Sequence, residues 1–73
     1  MKNNSCASFL WRESFKILVE KGYERKTARS IIKNSGYTTM IKRSRKKEQW
    51  MFLYSIPVSE YVDNMLAFWR EAA

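Results

Sequence analysis

The 73-residue sequence predicts an α+β fold: two N-terminal helices, a basic β-hairpin over residues 37–56 and a C-terminal amphipathic helix. Three observations support this. Apolar residues recur at helical spacing near both ends of the chain. Residues 37–56 are rich in β-branched and aromatic side chains that alternate in part. The two glycines, Gly22 and Gly36, fall where helices should stop. An all-α small bundle is the alternative.

The first helix is expected over Ser8–Lys21, with Ser8 as N-cap, Gly22 as the left-handed stop and residues 1–7 frayed. At 100° per residue Leu10, Trp11, Phe15, Ile17, Leu18 and Val19 share one side, and Arg12, Glu13, Lys16 and Glu20 the other. Only Phe9 falls on the polar face. A second helix is expected over Glu24–Ser35. Ala28, Ile31, Ile32 and Ser35 form its buried stripe, and Arg25, Lys26, Arg29 and Lys33 lie on a neighbouring arc.

Between Lys42 and Gln49 no apolar residue occurs, so one long helix there would have about two turns with nothing to bury. A hairpin puts these charges at its tip, between strands Tyr37–Arg43 and Gln49–Ile56, with Trp50, Phe52 and Tyr54 alternating with Met51, Leu53 and Ser55. The tip, Ser44–Glu48, lacks Gly, Pro, Asn and Asp, which suits a longer loop better than a tight turn. After Pro57, the arc Val58, Tyr61, Val62, Met65, Leu66, Phe68 and Trp69 marks the last helix. That arc is broad for a small domain, which points to a homodimer through Val58, Tyr61, Met65 and Trp69.

Composition excludes most chemistry. With one cysteine and no histidine, the chain can form neither an intrachain disulfide nor a Cys/His metal cluster, and it has no histidine base for a nucleophile. The seven carboxylates show no paired arrangement, and no Gly-rich phosphate loop is present. A non-enzymatic protein with no cofactor and no metal is expected. The longest apolar run, Trp50–Tyr54, is far short of the ~20 residues of a membrane span. The polar start and lone thiol suggest a cytoplasmic protein with no membrane partner.

Charge is the strongest signal. Of a net +7, the segment Arg25–Lys47 alone carries nine cations and no anion, whereas the segment from Ile56 onward is net negative. Like charge concentrated in one third of a chain repels itself and calls for an anionic partner. Duplex DNA is the expected partner; the alternatives are a modulator or inhibitor of a nucleic-acid enzyme that binds an acidic protein surface, or an RNA binder. Trp50, Phe52 and Tyr54 could stack on single-stranded bases if they are not core.

The string Lys26-Thr27-Ala28-Arg29-Ser30-Ile31-Ile32, then Gly36, the strand Thr38–Ile41, the basic tip Arg43–Lys47 and the strand Trp50–Tyr54 resemble the recognition helix and wing of winged-helix DNA-binding domains. The resemblance covers about half the chain. It implies that Thr27, Arg29 and Lys33 face the major groove and that Arg43, Arg45, Lys46 and Lys47 are wing contacts. The family places two helices before the recognition helix; one is readable here. In size and charge the chain is also similar to small phage or plasmid regulators such as excisionases. The expected nucleic-acid contacts are thus Arg25, Lys26, Thr27, Arg29, Lys33, Lys42, Arg43, Arg45, Lys46 and Lys47, in a transcription regulator or DNA accessory protein.

Overall fold

The computed structural model describes residues 5–43 and 55–72. These form four helices: α1 (Ser5–Glu20), α2 (Arg25–Ser35), α3 (Tyr37–Arg43) and α4 (Val58–Ala72). Helices α1 and α2 pack on each other, and each also packs on both α3 and α4. The fold is an all-helical bundle, and among the described residues there is no strand.

Helix α1 begins at Ser5, before the expected cap at Ser8, and Cys6 and Ala7 are buried rather than frayed. Its buried row is Cys6, Ala7, Leu10, Ser14 and Leu18, while Trp11, Phe15 and Ile17 are half-buried and Val19 is exposed. Leu10 and Leu18 are thus the large side chains at the centre of the inward face, joined there by the small Cys6, Ala7 and Ser14. The helix stops at Gly22 in a Schellman arrangement: the Tyr23 N–H donates to the Leu18 carbonyl (3.1 Å) and the Gly22 N–H to that of Val19 (3.0 Å). Gly22 has φ 105°, where a side chain would be strained.

Helix α2 buries Ala28, Ile31 and Ile32 as the periodicity predicts, whereas Ser35, expected in the same stripe, is half-buried. It ends at Gly36, whose φ of 78° allows α3 to start one residue later. Ser35 bridges the junction. Its hydroxyl donates to the Ile32 carbonyl (2.7 Å) and accepts from the Tyr37 N–H (3.3 Å).

The expected hairpin is overturned at its first arm: Tyr37–Arg43 is a helix, and with it the wing strand Thr38–Ile41. Helical spacing sets Tyr37 and Ile41 on one face. Ile41 is fully buried, and the Tyr37 ring meets the buried Tyr61 ring edge-on at 5.1 Å. The reluctance of two threonines to be helical, a few tenths of a kcal/mol each, is small beside such burial. The tip Ser44–Glu48 and Trp50–Tyr54 lie outside the described residues.

In α4, Tyr61, Val62, Met65 and Leu66 are buried, and the Pro57 carbonyl accepts the first helical bonds from Glu60 and Tyr61. The face expected to meet a second copy is thus largely enclosed within one chain. Tyr61 and Met65 have no exposed surface, Val58 and Trp69 pack half-buried on the same core, and only Phe68 is well exposed, at 49%. No described helix is long and apolar enough to cross a membrane.

Candidate nucleic-acid interface

Arg25, Lys26, Arg29 and Lys33 of α2 and Lys42 and Arg43 of α3 are all exposed. Among the described residues the one ion pair is Lys16–Glu13 on α1 (3.6 Å), so none of these six cations is neutralised within the described fold. Arg25 and Lys26 occupy the first turn of α2, which contains no acid. The helix dipole disfavours cations at that end. Their placement works against helix stability.

An aromatic pair draws the cations of two helices onto one face. Trp11 and Phe15, one turn apart on α1, stack with centroids 5.0 Å apart and planes 12° from parallel. The Arg29 guanidinium of α2 lies over the Phe15 ring at 5.9 Å, within cation–π range. At the other end of the pair, Trp11 lines an open pocket of about 120 Å³ with Ala7, Ser8, Thr38 and Lys42, the last two from α3. Arg29 and Lys42 therefore flank the same two rings. Arg25 and Lys33 stand one turn before and after Arg29 and extend the strip along α2.

The expected contacts divide accordingly. Arg25, Lys26, Arg29 and Lys33 share the outer arc of α2, and Lys42 joins them through Trp11. Arg43 is exposed at the end of α3. Thr27 does not join them. It is half-buried and, two residues from Arg29, projects from nearly the opposite side of the helix. Arg29, expected to read a groove, rests its guanidinium on Phe15. Arg45, Lys46 and Lys47 lie outside the described residues. Trp11, Phe15 and Thr38 belong to this face but were not expected there. Their one sequence signal is the Trp11/Phe15 spacing of four residues, which reads equally well as core.

No cluster of His, Cys, Asp or Glu suited to a metal ion occurs among the described residues. Cys6 is buried, and burial pushes its thiol above the ordinary cysteine range, which holds it in the unreactive neutral form. Compared with protein-family models, with curated proteins and with solved structures, the chain has no match in any of the three.

Proposed function

We propose that this protein binds duplex DNA as a regulatory or accessory factor, through the cationic face of α2 and α3. The observation that carries this reading is the convergence of Arg29 and Lys42 on the Trp11–Phe15 pair, which joins two runs of unpaired cations into one strip. Cations placed for solubility alone would be mixed with acids. Here, among the described residues, Glu60, Asp63 and Glu71 are on α4, and Glu13 and Glu20 are on α1. Helices α2 and α3 contain no acid beyond the N-cap Glu24, and two cations sit where the helix dipole disfavours them. Phosphates spaced along a duplex supply the missing counter-charge, and Lys or Arg contacts to them release condensed counterions. Arg45, Lys46 and Lys47 follow directly in sequence and add to the same charge.

Contacts of this type give affinity with little sequence preference. The test is fluorescence anisotropy of a labelled random-sequence duplex, for the native chain and an Arg29→Glu/Lys33→Glu variant, with single-stranded RNA and an acidic polypeptide as competitors. The expected result is duplex binding that the variant weakens by about tenfold or more, and that neither competitor displaces more readily than unlabelled duplex does at equal charge. Preferential displacement by the acidic polypeptide would favour a protein partner, and by RNA an RNA partner. No binding at low salt would end the nucleic-acid reading.

A further inference from the structure

The Trp11–Phe15 stack ends abruptly. Phe15 follows Trp11 by four residues on α1, whereas Ala7 and Ser8 precede it by four and three, so the pocket adjoins the end of Trp11 away from Phe15. The row reads Arg29, Phe15, Trp11 and then a gap, because Ala7 has no ring to continue it. Thr38, whose hydroxyl can both donate and accept, and Lys42, which carries an ammonium, complete the lining of that gap. A flat polar ring joined to an anionic group matches all of these features at once. The ring stacks on the indole, its polar edge meets Thr38 and the attached anion meets Lys42.

We infer that this pocket receives one unpaired nucleobase of the bound DNA, stacked on Trp11 with Lys42 against its phosphate. The inference rests on the DNA-binding reading and deepens it. The cationic strip holds the paired region, and the pocket selects a strand end or an unpaired position. Stacking of a base on an aromatic side chain is tolerant of sequence and strong enough to be measured as a preference.

The experiment compares three labelled DNAs of equal duplex length: a blunt duplex, the same duplex with one unpaired terminal nucleotide, and one whose terminal nucleotide lacks its base. Each is titrated with the native chain, Trp11→Leu and Ser8→Phe, whose added ring would fill the gap from an exposed position. Circular dichroism melts establish that each variant is folded. The native chain is expected to bind the overhang about tenfold tighter than the blunt duplex. The abasic overhang and both variants should lose that ratio. If Trp11→Leu does not fold, Ser8→Phe decides alone. Equal affinity of the native chain for all three DNAs overturns the inference, as does a ratio that survives Ser8→Phe or the loss of the base. Failure to bind the blunt duplex would instead count against the cationic strip, so the two claims fail separately.

Discussion

Ser14 stands on the inward face of α1 with no exposed surface, and its hydroxyl has no hydrogen-bond partner. A buried hydroxyl left unpaired costs about 1–3 kcal/mol. Its value to the fold is its size. Ser14→Ala keeps the size and removes the penalty, so it should raise stability by about 1 kcal/mol, or about 4–8 °C in Tm for a domain of this length. A drop of similar size in thermal melts would mean that the hydroxyl is partnered. Tyr61 makes the opposite case. Burial pushes its phenol above the ordinary value near 10, Tyr37 and Glu60 add to the rise, and a Ser55 hydrogen bond pulls partly back. Because the folded value is raised, this contribution to stability is complete below pH ~10 and is lost as pH climbs through the folded value. Melts between pH 8 and 12 should show that loss, and Tyr61→Phe should flatten it. At pH 7 the same substitution should cost about 1 kcal/mol for the Ser55 bond. An alkaline loss of the same depth in Tyr61→Phe would assign it to other groups.

At the scale of the element, α2 sets stability against binding. Arg25 and Lys26 occupy a first turn where the dipole favours acids. Replacing both by Glu should stabilise the fold and raise Tm by about 4 °C or more, while weakening duplex binding by about tenfold or more. A variant that gains stability and keeps its affinity would show that these cations are ordinary surface charge. Helices α2 and α4 were legible in sequence because each has one apolar stripe with a period near 3.6, bounded by Gly36 or Pro57. Helix α3 was not. Over the seven residues of Tyr37–Arg43 a strand pattern and a helix pattern compete, and threonine content tips local preference toward the strand. The decision is tertiary, made by Ile41 entering the core and Tyr37 meeting Tyr61. The face of α1 was legible in part. Leu10 and Leu18 are buried and Trp11, Phe15 and Ile17 pack half-buried on the core, but Val19 is exposed and the burial of Cys6, Ala7 and Ser14 was not expected. Hydropathy gives weight to Trp11 and Phe15, whereas close packing selects Cys6, Ala7 and Ser14.

At the scale of the whole molecule, the core enclosed by α1, α2, α3 and α4 leaves a surface on which charge is segregated. Acids dominate the outer side of α4, and cations dominate α2 and α3. That segregation could be read from the sequence, since it follows from counting charges along the chain. The joining of Arg29 to Lys42 through Trp11 and Phe15 could not, because it depends on how three helices meet. The central claim, that this face neutralises phosphates, is tested most directly by the salt dependence of duplex binding. If the six exposed cations of α2 and α3 all reach phosphates, log affinity should fall against log salt with a slope of about −5. A slope between zero and about −1, or no binding at low salt, would contradict it.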